Sequence, residues 1–190
     1  MNVTEKEKRD AGLLYDAGSL TEELLRCKEL CYEFNALRPS QLEEKAKIIR
    51  QLFGKTGNSF LIQAPFWCDY GDNIQIGEDF YANHNCVILD CAKVTFGDHV
   101  FVGPDCGFYT AGHPMDAERR NQGLEYALPI TVGDNVWFGG GVRVMPGVTI
   151  GNNTVIGAGR VVTKDIPANV VAVGNPCRIV REITEEDKRK

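Results

Sequence analysis

A six-residue repeat runs through most of the chain and constrains its fold more than any other feature. An aliphatic or aromatic residue recurs at every sixth position, and a glycine often follows it. This period fits neither a helix, with about 3.6 residues per turn, nor a single strand, with a period of two. The repeated positions are Val132, Phe138, Val144, Ile150, Ile156 and Val162, preceded by Ile76, Ala82 and Ile88 and by Phe96, Val102 and Phe108.

The repeat unit, one inward aliphatic residue and a following small residue, describes a short strand and a tight corner, as in a β-helix. Glycine suits such a corner because it adopts strained dihedrals and allows close backbone approach. Three units would make one triangular coil of 18 residues, so that equivalent positions stack into a continuous apolar column. The alternative is an all-β sandwich with short, regularly spaced strands. The unbroken phase of the last six positions favours the solenoid.

Residues 1–57 carry a helical pattern instead. Ser19 and Glu22 have the spacing of a capping box before a narrow apolar stripe, and Ser40 and Glu43 have the same spacing before a second helix. The stripe consists of Leu20, Leu24, Cys27, Cys31 and Phe34.

A weaker helix is predicted from Thr4 to Tyr15. The expected organisation is a helical N-terminal cap over residues 1–57, a β-helix domain over 58–183 and a charged tail over 184–190. The helical piece is too short to bury much apolar surface alone, so we expect it to pack on the rest of the chain or on a neighbouring subunit.

The six-residue phase is lost in a protruding polar loop at residues 109–129. Long loops in compact proteins are usually functional or disordered, and the flanking repeats are uninterrupted, which favours a flap held out from the solenoid wall. His113 lies in this loop between Gly112 and Pro114. Because imidazole titrates near neutral pH, His113 is the candidate general base.

Composition and charge exclude several classes of protein. Of 190 residues, 43% are hydrophobic and 25% are charged, which argues against a disordered or fibrous chain. The formal net charge of −5 argues against a nucleic-acid partner. The start of the chain is charged, and no stretch approaches the roughly 20 apolar residues of a membrane span. We therefore expect a cytoplasmic protein that has no membrane partner.

The seven cysteines form an odd, scattered set, which fits reduced thiols better than a disulfide framework. Cys27 and Cys31 could share one helical face as metal ligands. They are more simply interpreted as small apolar residues in a packed stripe, because no second close pair or nearby histidine in the sequence completes a ligand set. We expect no metal requirement.

Several segments together resemble one known family. They are Ala111-Gly112-His113-Pro114, the run Asn-Val-Trp-Phe-Gly-Gly at 135–140, the ending at 174–181, and the N-terminal runs at 11–15 and 32–35. These segments look like those of the hexapeptide-repeat sugar O-acetyltransferases, and within them of the maltose and galactoside acetyltransferases. The resemblance covers nearly the whole chain and implies a left-handed parallel β-helix with a small α-helical cap.

The activity implied by the resemblance is transfer of acetyl from acetyl-CoA to a sugar hydroxyl. His113 would remove the hydroxyl proton as the oxygen attacks the thioester carbonyl. Asn83 would orient the acceptor hydroxyl or steady the tetrahedral intermediate, and the backbone N–H of Gly140 would face the carbonyl oxygen. If the resemblance is set aside, Asn83 is equally well interpreted as an asparagine that forms a turn at a corner of the coil.

The resemblance also assigns residues to the two substrates. Asp16, Asp69 and Asp90, with Asn83, would contact the sugar, although solvated corner carboxylates are the alternative and are favoured for Asp16. The positions that would contact CoA are Gly140, Ala158, Thr163, Lys164, Arg178 and Arg181. The family implies a homotrimer with each site between adjacent subunits, and Trp137 is expected to pack at a coil edge or between subunits.

The acceptor implied is maltose or glucose, with galactosides as the close alternative. Two readings come from other classes. A trimeric β-helix carbonic anhydrase would hold zinc through three histidines, but His84, His99 and His113 are 15 and 14 positions apart, which does not match an 18-residue coil. A non-catalytic β-helix that only binds partners predicts that replacing His113 changes no function.

Overall fold

The computed structural model describes residues 3–189, which form a mainly β solenoid with a helical cap. The helices are Glu5–Asp10 (α1), Thr21–Ala36 (α2), Leu42–Leu52 (α3) and Ala117–Asn121 (α4), with 3-10 turns at Ala17–Leu20 and Glu185–Arg189. The strands are Tyr15–Asp16 (β1), Phe60–Ile62 (β2), Phe66–Cys68 (β3), Ile74–Gln75 (β4), Phe80–Ala82 (β5), Cys86–Leu89 (β6), Val94–Phe96 (β7), Phe101–Val102 (β8), Gly107–Tyr109 (β9), Ala111–Gly112 (β10), Leu124–Ala127 (β11), Ile130–Val132 (β12), Trp137–Phe138 (β13), Arg143–Val144 (β14), Thr149–Ile150 (β15), Val155–Ile156 (β16), Val161–Val162 (β17), Val170–Val173 (β18) and Arg178–Glu182 (β19).

Three parallel sheets form the sides of the solenoid. The first side stacks β2, β5, β8, β13, β16 and β18, with β19 antiparallel at its end; the second stacks β3, β6, β9, β14 and β17; the third stacks β4, β7, β12 and β15. The first side therefore counts six coils. The predicted repeat positions are all buried in the interior, which confirms the solenoid. Inside it, Phe80, Phe96, Phe108 and Phe138 stack in tilted and edge-to-face contacts.

Coil length differs along the solenoid. Stacked residues are eighteen positions apart in the middle coils, as Val132 and Ile150 are, but twenty apart in the first ones, as Ile88 and Phe108 are. They are sixteen apart in the last coil, as Ile156 and Ala172 are. The uniform 18-residue coil predicted from the repeat is thus wrong for the first coils and for the last. The two extra residues lie at the corner between the second and third sides, where eight positions separate the buried residues Ile88 and Phe96.

The same corner carries the protruding loop at 109–129. Val94 pairs directly with Ile130, so the third side continues across the excursion without a change of register. The excursion contains β10, α4 and β11, and β11 pairs antiparallel with both β10 and the cap strand β1. The expected flap is therefore an ordered hairpin fastened to the N-terminal cap.

The cap packs on the first coil of the solenoid. Helix α2 buries Cys27, Cys31 and Phe34, and the Phe34 ring meets Phe66 of β3 edge-on with centroids 6.4 Å apart. The Asn35 side chain donates to and accepts from the backbone of Phe66, at 2.9 and 2.8 Å. The apolar stripe predicted for this helix thus faces the solenoid.

The predicted helix boundaries need correction. Neither α2, which begins after Leu20, nor α3, which begins after Gln41, has a side-chain hydrogen bond at its N-cap, so the two predicted capping boxes are wrong. The Ser19 hydroxyl instead donates to the carbonyl of Asp16 at 2.7 Å. An additional 3-10 turn occupies the position before α2, which displaces Ser19 from the helix start.

The first helix is shorter than predicted. It spans Glu5–Asp10 rather than extending from Thr4 to Tyr15, and Thr4 with Glu7 forms its capping box. Gly12, with a φ of 69°, turns the chain out of the helix and allows Tyr15 to enter strand β1. None of the helices within residues 3–189 has the length and apolar character that a membrane span requires. The domain boundaries at 57 and 183 stay predictions.

Candidate active site

His113 lies on the excursion, immediately after β10. Its Nδ1 is 3.3 Å from the carbonyl oxygen of Leu124, and its Nε2 is 3.9 Å from Oε1 of Glu125. A carbonyl oxygen only accepts hydrogen bonds, so this contact favours the tautomer that carries the proton on Nδ1. The unprotonated Nε2 is then the basic nitrogen, and with the side chain 54% exposed it remains open to a substrate.

Glu125 and Tyr15 form a second layer behind the imidazole. The Tyr15 hydroxyl donates to Oε2 of Glu125 at 2.8 Å, and its ring is fully buried. Burial raises the pKa of Tyr15 well above its usual value, and the electrostatic interaction with Cys91 and the hydrogen bond to Glu125 raise it further. The hydroxyl therefore keeps its proton and remains a donor. The two residues pair across β1 and β11.

Sequence reasoning missed both of these residues. Tyr15 and Glu125 are 110 positions apart, and nothing local in either segment indicates that they meet. The alternation of Leu124, Glu125, Tyr126 and Ala127 was a weak signal of a strand that would direct Glu125 to one face.

Asp16 lies on β1 opposite Leu124, the residue whose carbonyl contacts His113. Its carboxylate accepts from the backbone N–H of Gly18 at 2.9 Å and so caps the 3-10 turn that follows. The structure therefore brings Asp16 to the same three-stranded sheet as His113, with one carboxylate oxygen engaged in the cap.

Asp69 and Asp90 lie together at the enlarged corner, but only Asp69 has an accessible carboxylate. Burial raises the pKa of the Asp69 carboxyl above its usual range. The Cys91 thiol donates to its Oδ2 at 3.7 Å. The Asp69 carboxylate therefore lies at a corner that is partly shielded from water. A substrate hydroxyl could replace the Cys91 thiol there as its hydrogen-bond donor.

Asp90 does not fit the predicted contact with the acceptor. Its side chain has no exposed surface, and its two oxygens accept from the backbone N–H groups of Asp69, Tyr70 and Gly71 at 3.0, 2.9 and 2.7 Å. Burial raises the pKa of Asp90 to about 6 although these donors favour the charged form. Asp90 holds the turn that carries Asp69, and we correct its assignment from sugar contact to support of that turn.

Asn83 lies at a different corner, between the first and second sides, just after β5. Its Oδ1 accepts from the backbone N–H of His84 at 2.8 Å. Its amide N–H groups have no hydrogen-bond partner within residues 3–189, and the side chain is half-buried. The position thus presents free donors and one free lone pair.

Gly140 and Ala158 stack above Asn83 on that same corner. Neighbouring backbone N–H groups bond from coil to coil, as Gly139 does to Ile156 and Gly159 does to Gly140. The N–H groups of Gly140 and Ala158 themselves find no acceptor in the described part of the chain. A Cβ at Gly139 would lie 2.6 Å from the Ala158 nitrogen, so the close stacking requires glycine there. The corner therefore offers a column of unpaired donors.

The predicted CoA-contacting cations lie at the last coils. Thr163 and Lys164 follow β17 and are exposed, and Arg178 and Arg181 lie on the exposed strand β19. Arg178 donates to the Cys177 carbonyl at 2.8 Å. Arg181 is already engaged with the carboxylate of Asp187 in two bonds of 2.7 Å, so a phosphate would have to compete with this carboxylate.

The three histidines form no metal site. Within residues 3–189, one group of three possible ligands comes together, and it consists of Cys27, Cys31 and Cys68. The fold brings Cys68 beside Cys27 and Cys31, a neighbour that the sequence did not indicate. His113 is not part of the cluster.

Comparisons with known proteins identify the family of the chain. A family model described as "Maltose acetyltransferase hexapeptide capping motif" matches residues 8–57, and one described as "Bacterial transferase hexapeptide (six repeats)" matches residues 129–164. The galactoside O-acetyltransferase of Escherichia coli K12 is 47% identical over 190 residues, which cover 99% of this chain and 94% of that protein. The chain belongs to the maltose and galactoside acetyltransferase family.

Solved structures of this acetyltransferase family superimpose over nearly the whole chain. A maltose O-acetyltransferase from Clostridium difficile 630 is 50% identical, covers 97% of this chain and 100% of its own, and gives a TM-score of 0.94. A galactoside acetyltransferase in complex with coenzyme A is 46% identical, covers 98% and 94%, and gives a TM-score of 0.95. The protein is thus an acyltransferase of this family, whose co-substrate is acetyl-CoA.

Proposed function

We propose that the protein transfers the acetyl group of acetyl-CoA to a hydroxyl of a sugar such as maltose or glucose, with His113 as the general base. The observation that carries the proposal is the contact of His113 Nδ1 with the Leu124 carbonyl, which leaves Nε2 unprotonated and exposed. Family membership supports the reaction class, and the maltose O-acetyltransferase at 50% identity supports the acceptor.

Nε2 of His113 takes the proton of the sugar hydroxyl as the sugar oxygen forms a bond to the thioester carbon. The carbonyl oxygen then carries the negative charge of an oxyanion. When the intermediate collapses, the C–S bond breaks and the CoA sulfur takes the proton from the imidazolium. The Glu125 carboxylate, 3.9 Å from Nε2, stabilises the imidazolium formed in between, and Tyr15 holds that carboxylate in position.

The corner between the first and second sides is proposed to hold the reacting carbonyl. The unpaired N–H of Gly140 would donate to the oxyanion, and the free amide N–H groups of Asn83 would bind the acceptor hydroxyl or the intermediate. Asp69 and Asp16 would accept further sugar hydroxyls. Their support is geometric, since both lie on elements adjoining the excursion.

The donor is proposed to lie along the same corner and to extend across the last coils, where Thr163 and Lys164 follow β17 of the second side. The free N–H of Ala158 suits an amide carbonyl of the pantetheine arm. Thr163, Lys164, Arg178 and Arg181 would then receive the phosphates, for which exposed cations and hydroxyls are suited.

The proposed assembly is a homotrimer, which the placement of the two halves of the site supports. His113 projects from the corner between the second and third sides, whereas Asn83 and Gly140 lie at the corner between the first and second sides. A neighbouring copy would bring its own His113 to that other corner. The outer surface of the first side supports such contact because Leu61, Tyr81, Phe101 and Trp137 are in register across its strands.

The apolar ladder on the first side is largely uncovered in a single chain. Trp137 is 55% exposed and Phe101 is 50% exposed, and the rings of Tyr81 and Phe101 are 6.4 Å apart. A contiguous row of large apolar side chains is typical of an interface, and copies related by a threefold axis would bury it. We also propose a cytoplasmic location, which the seven free cysteines support.

A galactoside is the second candidate acceptor, which the 47% identity to the E. coli galactoside O-acetyltransferase favours. A panel of maltose, glucose and galactosides, assayed with acetyl-CoA by release of free thiol, separates the two. If none of these sugars is acetylated, the substrate class is wrong.

His113→Ala tests the base directly and is expected to lower kcat by about 10² to 10⁴-fold, the range of general base catalysis. His99→Ala is the matched control, because His99 is exposed and pairs with Asp79 at 3.3 Å outside the site. Full activity of the His113 variant would exclude His113 as the base, whereas absence of acetyl transfer in the wild type as well would favour the non-catalytic alternative.

A further inference from the structure

Three cysteine sulfurs meet where the cap packs on the first coil. Cys27 and Cys31 lie one helical turn apart on α2, and Cys68 ends strand β3. The Sγ atom of Cys68 is 3.5 Å from that of Cys27 and 3.7 Å from that of Cys31, and all three sulfurs lie within 4.8 Å of one another. Each of the three residues is at most 3% exposed.

The cluster is not a disulfide and takes no part in acetyl transfer. A disulfide needs a sulfur–sulfur distance of about 2.0 Å and joins only two cysteines. Here three reduced thiols converge on one point. The acetyl-transfer chemistry argued for His113 uses none of them.

We propose that Cys27, Cys31 and Cys68 form a binding site for a soft, thiophilic metal ion of the Cu(I) class. An ion bonded to three sulfurs at about 2.3 Å in one plane would hold them about 4.0 Å apart. The sulfurs need to separate by only a few tenths of an ångström from their present distances of 3.5 and 3.7 Å. The fold therefore prepares the site before the ion arrives.

The ligand set selects Cu(I) over zinc. Structural zinc takes four ligands in a tetrahedron, and no histidine or carboxylate within residues 3–189 joins these three sulfurs. Water is excluded as a fourth ligand by the burial of the cluster. Thiolates without oxygen or nitrogen ligands favour Cu(I). Each thiol that coordinates loses its proton to solvent as a Cu–S bond forms, and no electron is transferred.

The expected consequence is a metal crosslink between two parts of the chain. Cys68 belongs to the first coil, whereas Cys27 and Cys31 belong to the cap, so a bound ion joins α2 to β3. An ion that binds the folded chain shifts the unfolding equilibrium toward it.

The first experiment is an anaerobic Cu(I) titration of the full chain against a chromophoric Cu(I) chelator. We expect one equivalent of copper to be retained, and Cys68→Ser to weaken retention at least tenfold. Cys106→Ser is the matched control, since Cys106 is also buried but bonds to the Gly139 carbonyl away from the cluster. Addition of Cu(I) should raise the unfolding temperature of the wild type and of Cys106→Ser, but not of Cys68→Ser.

X-ray absorption of the copper-loaded wild type tests the geometry without any variant. Three sulfur neighbours at about 2.3 Å are expected. Fewer sulfurs, equal copper retention by Cys68→Ser, or tighter retention of Zn²⁺ than of Cu(I) would each overturn the assignment. Conversion of Cys27 and Cys68 to a disulfide with no copper retention would also overturn it.

Discussion

The replacement Asp90→Asn probes the turn that carries Asp69. Asparagine keeps one acceptor oxygen for the N–H groups of Asp69 and Tyr70, but its NH2 group then meets the N–H of Gly71, which Asp90 now accepts at 2.7 Å. Two donors face each other in a fully buried site. At pH 7.5, where the carboxyl is ionised, the variant loses a charged hydrogen bond and gains an unpaired buried donor, which together should cost about 2 to 4 kcal/mol of unfolding free energy.

The cost of Asp90→Asn should depend on pH. Burial raises the pKa of the Asp90 carboxyl from 3.8, the value for an exposed aspartate, to about 6, and this shift corresponds to about 3 kcal/mol. Because the folded pKa is raised, the stability from the neutral carboxyl is present below pH 3.8 and is lost as the pH rises through 6. The wild type should therefore exceed the variant by more at pH 4 than at pH 7.5.

Urea unfolding followed by circular dichroism at both pH values measures this difference. Asp98→Asn is the matched control, since Asp98 also accepts a backbone N–H, that of Glu78 at 2.8 Å, but is exposed. Its effect should be small and similar at the two pH values. A wild-type advantage over Asp90→Asn that grows toward pH 7.5 would refute the reasoning, because it would mean that the three N–H donors outweigh burial.

Three further predictions concern the site and the assembly. Tyr15→Phe removes the donor to Glu125 and should lower kcat about tenfold with little change in KM or unfolding temperature; an equal rise in KM would contradict a positioning role. Trp137→Glu charges the apolar ladder and should leave monomers in sedimentation, whereas an intact trimer would remove this side from the interface. Lys164→Ala should weaken CoA binding several-fold at low salt and less at high salt, and unchanged affinity at low salt would take Lys164 out of the donor site.

The interior of the solenoid could be predicted from the sequence because its cause is local and repeated. Each coil must bury at least one apolar side chain on each side. The spacing of residues such as Val132 and Ile150 therefore predicts the solenoid by itself. The longer first coils could not be predicted this way, because the two added residues lie at the corner between Ile88 and Phe96 and break the six-residue spacing there.

Parts of the site escaped sequence reasoning because they depend on contacts between distant segments. Glu125 meets Tyr15 only because the cap strand adds to the excursion, and Cys68 meets Cys27 only because α2 packs on β3. The resemblance to the family assigns Asp90 to the sugar, and only the structure reveals that its side chain is buried and that its oxygens accept from backbone N–H groups. Local patterns identify charge and period but not which groups a fold brings together.

The corner that holds the excursion tolerates changes in length that the rest of the solenoid does not. Residues Val94 and Ile130 pair as directly neighbouring rungs although a complete hairpin and helix intervene. Insertions or deletions there leave every coil in register, so the excursion can change in length and sequence while the scaffold stays the same. A designer could exploit this by exchanging whole hairpins at 109–129 to alter which alcohols are acylated.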